Sequence, residues 1–244
     1  MSTAGISLAE DYHVHSVFSD GVSTLEQNVG AARERGLRRL CLVDHVRRDT
    51  GWVPDFAAAV QPLRETAGID ILAGVEAKIL DRAGRLDLPE GTGAADGIDL
   101  VLIADHQFPA EHGPVQPEQV RAGLASGELA AAEMIDCLAE ATAGALGRVE
   151  RPVLAHLFSV LPKIGLDEAD VPYRVLAMLA GRASSTGAMI EVNEKWSCPS
   201  ARVLRAFASA GVPIVASTDS HDCKDVGVYD CVARTLDAAF AGAA

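Results

Sequence analysis

Aromatic residues make up only 5% of this 244-residue chain, so any sizeable core must be built from Ala, Val, Leu and Ile within its 49% hydrophobic fraction. No apolar run reaches the roughly 18 residues needed to cross a bilayer, which excludes a helical membrane span. Met1 to Glu10 lacks the basic and apolar blocks of a secretion signal, and the expected location is cytoplasmic, with no membrane partner. Basic residues are the minority, 21 against 34 acidic, giving a net charge of −13 with His neutral. So acidic a body repels polyanions at long range, which argues against a nucleic-acid scaffold as partner. A small phosphorylated substrate stays open, because bound cations reverse the sign locally. Disulfide and thiolate-zinc signatures are missing as well. Cys41, Cys137, Cys198, Cys223 and Cys231 are odd in number, widely spaced and free of any C-x-x-C, so reduced thiols are expected, with Cys223 a bystander. Repeats, low-complexity tracts and linkers are absent, and one domain over residues 1–244 is the simplest organisation.

What the chain does contain is alternation. Short apolar runs at Asp11–Ser16, Arg39–Asp44, Ile69–Ala77, Ile98–Ala104, Pro152–Ala155, Ala188–Val192 and Val212–Ser217 read as strands separated by amphipathic helices. That is the pattern of βαβ units around a parallel sheet, here an α/β barrel with seven strands in place of the usual eight. Ser23-Thr-Leu-Glu26 reads as a capping box. Leu25, Val29 and Ala32 then share one helical face, and Gly36 ends the helix. A second helix runs from Ser200 to Ala210, between Pro199 and Gly211. Ala77–Leu88 reads as a hairpin about Arg82-Ala-Gly-Arg85, and Pro117–Gly147 as a long helical stretch broken near Ser126-Gly127.

Six of the seven histidines fall in or just after a strand. His13 and His15 lie in the first strand, with His45, His106, His156 and His221 after the second, fourth, fifth and seventh. Glu76 ends the third strand and Asp219 follows the seventh. In a barrel, loops at the C-terminal strand ends share one mouth, so these distant positions meet. His13-Val-His15 places two imidazoles on one strand face. A single such histidine is most often a hydrogen-bonded core residue. Nine polar groups at one mouth, with Asp20 counted, point instead to metal. Imidazole and carboxylate without thiolate suit zinc, iron or manganese, and nine donors suit two or three ions.

Asp11-Tyr-His-Val-His-Ser16 with Ser19-Asp-Gly21, Asp44-His45, Gly74-Val-Glu76, Asp105-His106, Ala155-His156, Glu191-Val-Asn193 and Ser217-Thr-Asp-Ser-His221 with Val226-Gly227 occur in that order. The set resembles the PHP (polymerase and histidinol phosphatase) domain of metal-dependent phosphoesterases. The resemblance implies a distorted (βα)7 TIM-like barrel with a trinuclear centre. By matching position, His13, His15, Glu76 and Asp219 would hold one ion. Glu76 would bridge to a second, held also by His106 and His156. Asp20, His45 and His221 would hold the third, Asp20 standing where some relatives carry histidine.

The expected chemistry is hydrolysis of a small phosphomonoester, histidinol phosphate or a nucleotide monophosphate among the candidates, by a metal-activated hydroxide near Glu76. Arg47, Lys78 and Lys195 each lie two residues beyond a site position and are expected to rim the pocket, with Arg48 a further candidate. Asp11 and Asp44 read as groups orienting the ligands, and Glu191 and Asn193 as orienting or lining groups. Trp52 and Trp196 are read as caps over the barrel, with stacking on a substrate ring as the alternative, and His112 as a turn residue without a role. The alternatives are an amidohydrolase-type C–N or C–O hydrolase, a 3′–5′ exonuclease-type phosphodiesterase, and a metal-binding remnant without activity.

Overall fold

The computed structural model describes residues 6–241; of the segment read for a secretion signal, residues 1–5 lie outside that range. Strands run over Glu10–Val14 (β1), Arg39–His45 (β2), Asp70–Lys78 (β3), Leu100–Ala104 (β4), Phe108–Ala110 (β5), Gly113–Val115 (β6), Pro152–Leu154 (β7), Met189–Asn193 (β8) and Ile214–Ser217 (β9). Seven of them form one parallel sheet in the order β1-β2-β3-β4-β7-β8-β9, while β5 and β6 make a small antiparallel hairpin. A parallel bridge between Val14 and Ser220 brings the last strand's extension back to the first. The His15 N–H donates to the Ser220 carbonyl at 2.8 Å, and the Ser220 N–H to the His13 carbonyl at 3.3 Å. The sheet is thus an almost closed seven-stranded barrel, and its seam lies among the site residues.

The helices are Leu25–Glu34 (α1), Val53–Thr66 (α2), Pro117–Ser126 (α3), Ala131–Ala145 (α4), Leu161–Ile164 (α5), Tyr173–Thr186 (α6), Ala201–Ser209 (α7) and Cys231–Phe240 (α8). None among the described residues is long and apolar enough to cross a membrane. Apolar side chains divide into two cores. A large outer one joins sheet to helices, with Leu40, Leu42, Val75 and Ile103 among its strand residues. A small inner one, including Cys41, Val43, Leu100, Leu102 and Val153, fills the lower barrel. The in–out alternation then carries His45 and Glu76 inward above that plug.

Simple alternation fails in β1. Asp11 pairs with Leu40 and Val14 with Leu42, so three steps on β1 match two on β2. The extra residue is a bulge at Tyr12–His13. Tyr12 joins the inner core while Val14 joins the outer one. The bulge turns Asp11 outward and still leaves His13 and His15 facing in, a common use of bulges beside active sites.

The cap of α1 corrects the sequence reading by one residue. Thr24 is the N-cap, accepting from the Gln27 N–H, and the Gln27 side chain returns to the Thr24 N–H at 2.8 Å. Ser23 is committed elsewhere, its Oγ accepting the Cys223 N–H at 2.9 Å. Leu25, Val29 and Ala32 are all buried as one face. The hairpin after β3 is present, held by the Ile79–Leu86 bridge, and the long helical stretch divides into α3 and α4 at Gly127, whose φ is +78°.

Candidate metal centre

All nine polar residues expected at the mouth converge there. Glu76, 2% exposed, is their hub. Its Oε2 lies 2.8 Å from His45 Nδ1, 3.3 Å from His13 Nε2 and 3.5 Å from His15 Nε2. Its Oε1 lies 3.0 Å from both His106 Nε2 and His156 Nε2. Asp219 Oδ1 approaches His15 Nε2 at 3.4 Å and His221 Nδ1 at 3.5 Å. Asp20 reaches His221 Nε2 at 3.3 Å and His45 Nε2 at 3.5 Å. Three sets of donors lie mutually within 4.8 Å: His15 with Asp20, His45 and His221; His13 with His15 and Asp219; and His45 with Glu76 and His106. Sets that share His15 and His45 describe one continuous cluster.

This cluster has the chemistry of a cation site. His15 is fully buried, and neither of its ring nitrogens has a hydrogen-bond partner among the described residues. Three other imidazoles crowd it, His221 at 4.2 Å, His45 at 4.4 Å and His13 at 4.8 Å between ring centroids. Orphaned polar atoms in such a place cost about 1–3 kcal/mol each, which a bound cation would relieve. Burial also pushes His15 down to about 4, so the ring is neutral and keeps a lone pair to donate. Its neighbours are pulled the other way. At His13 burial opposes the charged form, yet Glu191, Glu76 and Asp219 outweigh it and raise the ring well above its usual value. Burial likewise opposes charge at His156, but Asp105 and Glu76 raise it to about 10. The carboxylates demand positive charge, which protons supply when ions do not.

A surrounding shell of bonds aims these groups. Glu191, buried, faces His13 Nδ1 with Oε2 at 3.0 Å, and the same oxygen accepts from Ser217 Oγ at 2.9 Å. Its Oε1 accepts the His156 N–H at 2.5 Å and an Asn193 Nδ2 hydrogen at 2.8 Å. Glu191 thus bonds His13 and His156 directly, Asn193 bonds Glu191, and neither lines the cavity. Ser159 Oγ donates to Asp105 at 2.6 Å and so presents a lone pair to His156 Nδ1 at 3.0 Å. Asp44 accepts both the N–H and the hydroxyl of Ser16 and of Ser19, shaping the loop that carries Asp20. Asp11 does the same for the opposite loop, accepting from Thr218 N–H and Oγ1 and from the Gly227 N–H. Burial raises both carboxyls to about 6. Two site residues hold left-handed backbone without being glycine, His156 at φ 29° and Asp219 at φ 53°, a strain that clusters at functional sites.

Above the cluster opens a cavity of about 790 Å³ lined by Phe18, Arg47, Trp52, Lys78, Lys163, Lys195 and Trp196, among others. Arg47, Lys78 and Lys195 stand where the strand-end spacing put them. Lys78 bonds Gln107 at 3.1 Å, and Lys195 reaches into the cluster, 3.2 Å from both Asp219 Oδ1 and His221 Nδ1. Arg48 does not join them. Its N–H donates to Asp87 at 2.9 Å, and the residue lines a neighbouring cavity of about 540 Å³, because consecutive side chains diverge. Trp196 does more than cap: its indole N–H donates to Asp219 Oδ2 at 2.7 Å. Trp52 packs on Phe18 and Phe56 as a wall. Sequence reasoning missed Lys163, seven residues beyond His156 on α5, where no strand periodicity reaches.

A family model of the PHP domain matches residues 11–193, a span that ends before Asp219 and His221. A probable phosphatase of Caldanaerobacter subterraneus subsp. tengcongensis is 25% identical over 243 residues, covering 95% of this chain and 84% of that protein. A probable phosphatase of Vibrio vulnificus is 26% identical over 236 residues, covering 95% and 85%. A crystal structure from Bifidobacterium adolescentis, described provisionally as a metal-dependent phosphoesterase, covers 98% of both chains at 18% identity with a TM-score of 0.48. With the family model matched over most of its length, the chain belongs to the PHP domain family.

Proposed function

We propose that the chain is a metal-dependent phosphoric ester hydrolase acting on a small phosphomonoester. Its centre would be trinuclear, with zinc, iron or manganese held by His13, His15, Asp20, His45, Glu76, His106, His156, Asp219 and His221. The observation that carries this reading is His15, a neutral imidazole buried among three others with both nitrogens unpartnered. Family membership and the names of the two relatives support the phosphoester as substrate class. When bound, such ions lower the pKa of water and neutralise charge on phosphoryl oxygens.

The side chains supply the rest. Glu191 holds a His13 proton on Nδ1, so Nε2, facing Glu76, is the nitrogen the ring would offer to an ion. Asp105 does so for His156 through Ser159, so that Nε2 again faces the hub carboxylate. Trp196 occupies Oδ2 of Asp219 and leaves Oδ1 aimed inward. Lys78 and Lys195 offer donors to the phosphoryl oxygens from the cavity wall, and Arg47 adds positive charge at its rim. Metal analysis of the purified protein, then a phosphate-release screen with each metal, tests the assignment. Two or three bound equivalents and chelator-sensitive phosphate release are expected. Release of ammonia or carboxylate instead would assign the amidohydrolase class, and protein that binds no metal after supplementation would end the reading.

A further inference from the structure

The cavity of about 790 Å³ far exceeds what a phosphoryl group fills, so beside the cluster's own donors its walls have room for a leaving group. Its wall charges are unevenly satisfied. Every carboxylate is engaged: Glu76 by His13, His45, His106 and His156, Asp219 by Trp196 and Lys195, Asp20 by His45 and His221. Asp87, the fourth, accepts the Arg48 N–H at 2.9 Å and lies 3.5 Å from Lys78. Two cations are not engaged. The Arg47 guanidinium has no hydrogen bond or ion pair among the described residues; only its backbone is bonded, to Thr50. Lys163, half-buried, has only the Trp196 ring, 4.1 Å from Nζ to the ring centroid. An ammonium partly stripped of water and facing only an aromatic ring regains part of its lost hydration. Arg47 follows β2 and Lys163 follows β7, with β3 and β4 between them, so the two stand on separate walls.

Resting on the phosphatase reading above, we propose that the substrate is a phosphomonoester whose leaving group carries a second anionic group, carboxylate or phosphate, received by Lys163, with Arg47 adding positive field from the other wall. Trp52 and Trp196 flank the body of that leaving group. A cationic leaving group finds no free carboxylate on the wall and meets two unpaired cations, so it is rejected by charge.

The test uses the full chain loaded with metal and four probes: phenyl phosphate, para-carboxyphenyl phosphate, para-phenylene bisphosphate and para-(aminomethyl)phenyl phosphate. The readout is each probe's kcat/KM relative to phenyl phosphate, compared between wild type and the variants Lys163→Met and Arg47→Ala. That double comparison cancels differences in leaving-group acidity. Methionine keeps the apolar stem of Lys163 against Trp196. The anionic-to-neutral ratio is expected to fall by about tenfold in Lys163→Met, less in the more exposed Arg47→Ala, and the aminomethyl ratio to rise in both. The larger drop between the carboxylate and bisphosphate probes identifies the second anion. Ratios unchanged in both variants, or a wild type that favours the aminomethyl probe, would overturn the proposal while leaving the phosphatase reading intact. Hydrolysis of none of the four would bring down the phosphatase reading and this proposal with it.

Discussion

Replacing Glu191 with glutamine tests whether the cluster is built to present imidazole lone pairs. Four donors converge on the two Glu191 oxygens: the His156 N–H and Asn193 Nδ2 on Oε1, Ser217 Oγ and His13 Nδ1 on Oε2. Glutamine keeps one acceptor oxygen and turns the other position into an NH2. A backbone N–H cannot move its proton, so the amide oxygen must stay with His156. The new NH2 then faces His13 Nδ1 and Ser217. Serine can rotate its hydroxyl to accept; His13 can accept only by giving up its Nδ1 proton, which leaves the last ring proton on Nε2, 3.3 Å from Glu76. A metal must then displace that last proton, whereas in wild type the Nδ1 proton remains on the ring. The expected loss is about 10–100-fold in affinity, or roughly 1.4–2.7 kcal/mol, for the ions that His13 serves. Calorimetric titration of zinc or manganese into chelator-stripped wild type and Glu191→Gln at one pH measures it. Unchanged affinity in a folded variant would refute the tautomer argument, and with it the role assigned to Glu191.

Three further outcomes follow from the same geometry. His15→Leu replaces a neutral ring having two unpartnered nitrogens with an apolar side chain of similar size, so urea unfolding should show the metal-free protein stabilised, by about 1 kcal/mol or more. Bound metal should meanwhile drop by at least one equivalent in elemental analysis, and a large loss of metal-free stability would contradict the orphaned-imidazole reading. Gly21→Ala places a Cβ 2.8 Å from the His15 carbonyl carbon and the Ser16 nitrogen, neither of which is a flexible side-chain end. It should cost roughly 1–3 kcal/mol in thermal or urea unfolding. Burial pushes the Cys41, Cys137 and Cys198 thiols upward, Cys137 to about 11, whereas Cys223 and Cys231 are half-exposed. Two thiols should therefore react promptly with an aromatic disulfide reagent under native conditions and all five after unfolding; fast reaction of three or more would show the barrel interior to be open.

Much of the architecture was legible from short-range signals. All seven barrel strands lie at or within two residues of their expected bounds, because β-branched runs between capped helices satisfy the same backbone demand locally and in the fold. Signals that depend on a distant partner were not legible. Ser23 matches a capping box as well as Thr24 does, and only its bond to the Cys223 N–H removes it from that task. The bulge at Tyr12–His13 leaves no mark in the pattern of β1, since a register slip is defined only against β2. Arg47 and Arg48 look alike until the loop's path sends them into different cavities.

The order of histidines and carboxylates along the chain determined by itself that six imidazoles and three carboxylates would gather at one barrel mouth, because parallel βα units bring all strand ends to the same side. Which atoms face each other was decided only by closure of the barrel. Closure made Glu76 the hub of five imidazoles, gave Asp219 its indole partner in Trp196 and left Lys163 without a carboxylate. Those relations depend on distances between side chains from strands far apart in sequence, which local propensity does not encode and packing alone sets.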